Sequence, residues 1–160
     1  MSSQLRHRRR AASFALVLID AYGLFWERDG VQWGGGQGRK RSLTGALART
    51  STSERVEFAA AKAIYALYTE AFDLLYIGQS GRGSGQALGK RLADHRTDHL
   101  SERWERFSWF RIGTEVDEKL SEKQILDPME AVAISIAEPR LNRRGGNYGG
   151  ARQYYQVVQD

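Results

Sequence analysis

The sequence predicts an α+β domain, and three observations carry that reading. First, residues 63–68 (Ala-Ile-Tyr-Ala-Leu-Tyr) and 74–78 (Leu-Leu-Tyr-Ile-Gly) have strand character and are joined by Thr69-Glu70-Ala71-Phe72-Asp73. Two-residue alternation broken by a short polar link is the pattern of a β-hairpin. Second, a helix follows from about Ala87 to Leu100, with Leu88 and Leu92 as its apolar stripe. Third, Trp104 to Ile112 alternates as a further strand, and an apolar helix opens after it at Asp127-Pro128.

In the hairpin, Tyr65 and Tyr76 are the conspicuous side chains. Residues of one parity share a sheet face, so two tyrosines on paired strands can present a phenol pair. Whether they share that face depends on register, which the sequence leaves open. The loop after Gly78, residues 79–85, is rich in glycine and serine and carries the cation Arg82. On the next helix Arg91 and His95 fall one turn apart, at the border of the apolar stripe. Border positions let a side chain leave the core and reach a surface site; a merely basic exposed face is the alternative. His99 lies deeper in the stripe and reads as a packed histidine. The aromatics of residues 104–112 read as core.

The last helix carries an ambiguity. Asp127 at the N-cap, Pro128 at N1 and Glu130 at N3 match a capping box. Glu130 also shares a stripe with Ile134 and Ala137 in a mostly apolar segment, where a carboxylate needs a partner. Capping is one such partner and a metal ion is another. Pro139 ends the helix, and Asn142 lies just beyond, flanked by Arg140, Arg143 and Arg144 and followed by glycines. This basic exit suits a nucleic-acid backbone. Residues 154–158 read as a closing edge strand.

Composition sets the bounds. One hundred and sixty residues with 41% hydrophobic content suit a single domain with a real core. No cysteine is present, which excludes disulfides and thiolate zinc sites, and three histidines are too few for a histidine cage. Any metal is therefore expected to be a hard ion held by oxygen. A net charge of +5 and a pI near 9.7 favour a polyanionic partner. Residues 1–13, with Arg6-His7-Arg8-Arg9-Arg10, read as a disordered basic arm. The apolar run Phe14–Ile19 is too short to span a bilayer and ends at Asp20, so no membrane partner and a cytoplasmic location are expected.

Residues 14–60 are expected to be an extension packed on a core of residues 61–160. Phe14–Ile19 reads equally as strand or helix, and Arg28-Asp29-Gly30 is a turn signal. The glycine-rich stretch 34–38 leads into Arg39-Lys40-Arg41, which either approaches phosphate closely or is a solvated linker. Residues 53–62 read as a short helix.

Taken in order, Ala63-Ile64-Tyr65, Tyr76-Ile77-Gly78, Arg91 with His95, Glu130 and Asn142 make the chain resemble the GIY-YIG nuclease superfamily over roughly residues 60–145. The first signature departs from its glycine at Ala63, a position that supplies backbone shape rather than chemistry. The resemblance implies a three-stranded antiparallel sheet flanked by helices. It implies an endonuclease that hydrolyses DNA, with Glu130 holding one Mg²⁺ (Mn²⁺ as a substitute) and Arg91 offering its planar fork to phosphate. Tyr65 would be the general base, with His95 sharing its proton, Tyr76 bonding phosphate or water, and Asn142 bracing the site. A phenol of pKa about 10 is roughly 0.1% ionised at neutral pH, a penalty of about 4 kcal/mol that neighbouring cations must reduce. Arg39, Lys40, Arg41, Arg82, Arg140, Arg143 and Arg144 would add contacts to nucleic acid. Restriction, phage defence, mobile-element transfer and repair are the processes implied, with recruitment by a protein partner compatible with so compact a chain. The competing expectation is a nucleic-acid-binding module that kept the fold and lost turnover.

Overall fold

The computed structural model describes residues 17–35, 38–50, 52–81, 86–113, 120–138 and 146–159. The arm at Arg6–Arg10, and the expectations placed on Arg82, Pro139, Arg140, Asn142, Arg143 and Arg144, lie outside the described residues.

The chain runs β1 (Ile19–Glu27), a 3₁₀ turn (Arg28–Gly30), β2 (Thr44–Ala46), β3 (Arg55–Glu57), β4 (Ala63–Tyr68) and β5 (Leu74–Gln79). It continues with α1 (Leu88–Asp94), β6 (Arg106–Ile112), α2 (Glu122–Ala137), β7 (Arg152–Gln153) and β8 (Tyr155–Gln156). A five-stranded mixed sheet has the order β5-β4-β6-β1-β7, and a three-stranded antiparallel sheet has the order β3-β2-β8.

The expected hairpin is present. Within the link, the Thr69 amide donates to the Asp73 carbonyl at 2.9 Å, and the Phe72 amide donates back to the Thr69 carbonyl at 3.0 Å. Phe72 turns the chain with a left-handed φ of 68°. β4 pairs antiparallel with β5 on one side and with β6 on the other. As the inner strand of that trio it is covered on both faces. Ala63, Tyr65 and Leu67 join the cluster built around Leu88, Leu92, Trp104 and Trp109. Ala66 and Tyr68 join the one containing Ile19, Phe110, Val132 and Ile136. Strand alternation therefore places α1 on one side of the sheet and α2 on the other.

The expected sheet of three strands is larger than the resemblance implied. β1, from the extension, pairs antiparallel with β6 from Ile19↔Ile112 to Glu27↔Arg106, and β7 runs parallel on its far side. The cause is the apolar character of β1, whose Ile19, Ala21 and Trp26 are buried in the two layers. A bulge between Gly23 and Trp26 re-aims the strand, with Phe25 at a φ of 52° and its amide bonded to the Ser108 hydroxyl.

Three further expectations are corrected. Residues 53–62 do not form a helix: Arg55–Glu57 is a strand, because the Glu57 carboxylate takes the Leu43 and Ala59 amides and holds the segment extended against β2. α1 is shorter than expected, and turns carry the chain on to Arg103, so His99 is exposed rather than packed. The N-cap of α2 lies six residues before the expected Asp127. Ser121 is its N-cap, bonded reciprocally with Gln124 in a capping box, and Pro128 falls inside the helix. Glu130 therefore plays no part in capping, and it is exposed.

Trp26 ties the layers together. Its ring meets Phe58, Phe107 and Trp109 edge-on, and its indole N–H donates to the Tyr154 carbonyl at 3.2 Å. Replacing it with alanine is expected to cost about 3–5 kcal/mol, measured as a fall in the urea midpoint. A loss below 1 kcal/mol would show that the extension is not integral to the core.

Candidate active site

The register resolves the question left open by the sequence. Tyr65 lies opposite Gly78, and Tyr76 lies opposite Leu67, so both tyrosines occupy the α1 side of the hairpin. Their ring centroids are 6.2 Å apart. Gly78 is required there, because a Cβ at that position would come within 2.5 Å of Tyr65 Cζ and 2.7 Å of Tyr76 Cε1. The glycine of the second signature thus makes room for the tyrosine of the first. Ala63, at the position where the resemblance implies a glycine, is buried and its amide donates to the Ser80 hydroxyl at 3.0 Å.

α1 brings the next groups. Its free amides are met by loop carbonyls, Leu88 N–H to Ala61 and Gly89 N–H to Ala59, which docks the helix start on the segment entering β4. That docking points His95 at the hairpin. Tyr65 Oη and His95 Nε2 are 2.8 Å apart, and His95 Nδ1 is 2.6 Å from Asp98 Oδ2. An ionised Asp98 accepts only, so Nδ1 carries hydrogen and, with the imidazole neutral, Nε2 is free to accept the phenol proton. Asp98 Oδ1 is held in turn by the Leu100 amide at 2.8 Å, and the His95 carbonyl by the Trp104 indole at 2.9 Å. The result is a three-member chain, Tyr65–His95–Asp98, whose last member sequence reasoning missed. The signal was the spacing of His95 and Asp98, three residues apart, which places two side chains side by side in a helical turn.

Arg91 completes the cluster. Burial pushes the Tyr65 phenol up to about 12; Arg91 works against that rise, while Tyr76 adds to it. Tyr65 is in turn the main cause holding the Arg91 guanidinium above its ordinary value, against burial. Arg91 Nε is buried and has no hydrogen-bond partner. A buried donor left unpaired is costly, and an incoming acceptor would remove the cost. Burial pushes the Asp98 carboxyl up, but the Leu100 amide and His95 outweigh it and keep the group below its ordinary value.

Access is unequal. Tyr65 is 0% and His95 4% exposed, whereas Tyr76 and Arg91 are half-buried. Tyr76 and Arg91 therefore reach solvent on the tyrosine side of the cluster, and Asp98 reaches it at the other end of the chain of hydrogen bonds. Glu130 is not brought to this cluster. It lies on the helix covering the other side of the sheet, roughly 160° around that helix from the buried Val132. Among the described residues no three histidine, cysteine, aspartate or glutamate side chains gather to hold a metal, and Asp98 is already engaged. The described residues at Tyr65 do not fit the Mg²⁺ that the resemblance implies. A cleft of about 630 Å³ lies elsewhere, between Phe25, Arg49, Arg55 and Tyr155. Arg39 and Lys40 are exposed, while Arg41 is half-buried against α1.

No protein-family model matches the chain, and no curated protein or solved structure matches it either. Among the described residues no helix is long and apolar enough to cross a membrane.

Two measurements test this geometry. Gly78→Ala is expected to destabilise by about 1–3 kcal/mol, through overpacking against the two phenols; an unchanged urea midpoint would contradict the register. The pH dependence has a definite sign. Tyr65 and Tyr68 both titrate at about 12 when folded, above the ordinary value of 10.0. Their stabilisation is complete below pH 10 and is lost as pH rises through 12, of order 2–3 kcal/mol for each buried phenol. Tyr65→Phe should flatten that decline in alkaline denaturation.

Proposed function

We propose that the chain is a nucleic-acid phosphodiesterase, an endonuclease acting on DNA in the manner of the GIY-YIG superfamily it resembles. The observation that carries this reading is the Tyr65–His95–Asp98 chain lying beside an Arg91 guanidinium with an unpaired buried N–H. Tyr76 and Arg91 meet the substrate, Arg91 taking the non-bridging oxygens with donors that lysine could not match. Water attacks phosphorus and the ester P–O bond breaks. The proton from the water passes into the phenol pair and ends on His95 Nε2, while the departing alkoxide is protonated from solvent.

Energetics favour a relay over a free phenolate. A phenol at about 12 would cost about 7 kcal/mol to ionise at neutral pH. A concerted relay forms no free phenolate, because Tyr65 takes up the incoming proton as it passes its own to the imidazole, the general-base logic by which a serine hydroxyl is activated in hydrolases. Asp98 positions the imidazole and stabilises the charge it acquires.

Two observations favour a second reading, a nucleic-acid-binding module without turnover: the full burial of Tyr65 and the remoteness of Glu130 from it. Supercoiled plasmid incubated with the protein, with Mg²⁺ and then with EDTA, separates the two. Under the first reading the plasmid is nicked, and Tyr65→Phe or Arg91→Gln lowers the rate at least 100-fold with the circular dichroism spectrum unchanged. Retarded but intact plasmid would favour the second. Nicking undiminished in both variants would remove this cluster from the chemistry.

A further inference from the structure

A second set of cations lies on the other flank of α1. Gly89 and Arg91 are roughly 160° apart around the helix, measured across the arc that holds the buried Leu88 and Leu92. On the Gly89 side the Arg41 side chain packs so closely that a Cβ on Gly89 would come within 3.0 Å of Arg41 Cδ. Arg41 Nε is buried and without a hydrogen-bond partner. Arg96 lies near it: burial first, then the charges of Arg28 and Arg41, hold the Arg96 guanidinium below its ordinary value. Arg28, Arg41 and Arg96 thus form one cluster, and among the described residues no ion pair neutralises any of them.

The cluster is held rigidly from below. Arg28 lies over the Trp104 ring at 4.6 Å and donates to the Trp104 and Ser101 carbonyls. Arg96 lies over the Trp33 ring at 4.7 Å, and Trp33 meets Trp104 edge-on. The Trp33 indole donates to the Arg28 carbonyl at 3.1 Å. Stacking fixes a guanidinium plane while leaving its edge N–H groups available to an anion. Three like charges packed together without a carboxylate oppose folding, and a bound phosphate would relieve that opposition.

We infer that Arg28, Arg41 and Arg96, mounted on Trp33 and Trp104, form a phosphate clamp for the sugar–phosphate backbone of the nucleic acid, about one helix width (~10 Å) from Arg91. The inference rests on the nucleic-acid part of the proposed function and goes beyond the signature residues, since Arg28, Trp33 and Arg41 come from the extension. The clamp contacts backbone only, so it adds affinity without sequence preference. It holds the strand while Arg91 and Tyr76 engage the reacting phosphate.

The test is the salt dependence of binding to a short fluorescein-labelled DNA duplex, followed by anisotropy. Arg41→Gln and Arg96→Gln are compared with the intact chain and with Arg96→Lys. Arg28 is left alone because it also holds two backbone carbonyls. Each Gln variant should reduce the slope of log K against log salt by about 0.9, whereas Arg96→Lys should keep the slope. Cleavage by the parent chain is followed in parallel on the supercoiled plasmid. Unchanged slopes in both Gln variants, with the parent binding well, would overturn the clamp and leave the proposed function standing. Binding with the expected slope changes but no cleavage would uphold the clamp and overturn the hydrolase. No salt-dependent binding by the parent chain would overturn both.

Discussion

A single hydrogen bond, between the Tyr65 hydroxyl and His95 Nε2, constrains everything around it. It is made where no solvent reaches, so neither partner has water as an alternative. To keep it, β5 must leave a gap at Gly78, α1 must begin where the Ala59 and Ala61 carbonyls receive it, and Trp104 must anchor the turn at the His95 carbonyl. The tilt of α1 follows from these ties, and with it the position of Arg91. Core packing and candidate chemistry are one arrangement in this half of the molecule.

The two sides of the sheet are specialised differently. The α1 side gathers a phenol pair, an imidazole, a carboxylate and several guanidiniums among large aromatics. The α2 side is closed by aliphatic and stacked aromatic contacts, including Tyr22 on Tyr148 with centroids 4.3 Å apart. There Tyr68 spends its hydroxyl on the Ile136 carbonyl, as a structural tyrosine does. Tyr65 and Tyr68 thus show two uses of one residue type, three positions apart on the same strand. Parity decides which use each has.

What could be read from residue order was whatever depends on local spacing. The β4–β5 hairpin link and the buried aromatics of β6 obey short-range rules, and the structure reproduces them. The small β3-β2-β8 sheet was legible only as the edge strand at residues 154–158, because its strands are two or three residues long and β2 meets β8 across about a hundred positions, as Gly45 does with Gln156. α2 was entered too late because Asp127-Pro128 imitates a helix start, while Ser121 and Gln124 carry the actual one. Glu130 was judged by its apolar neighbours, but in a helix those neighbours point in every direction, and Glu130 falls on the outer side. Asp98 was legible and overlooked: it is acidic in a turn, and only its distance from His95 gave it meaning.

The place of β1 in the sheet governs the order in which the molecule can assemble. Among the described residues it is the earliest strand in the sequence, yet it lies between β6 and β7, pairing Ile19 with Ile112 on one side and Ala21 with Arg152 on the other. During synthesis its apolar residues must wait for most of the chain to emerge, and such long closures make folding slow. The β4–β5 hairpin and α1 have no such wait, because their partners are close in sequence. The cluster around Tyr65 can therefore begin to form on a nascent chain whose outer strands have not yet been laid down.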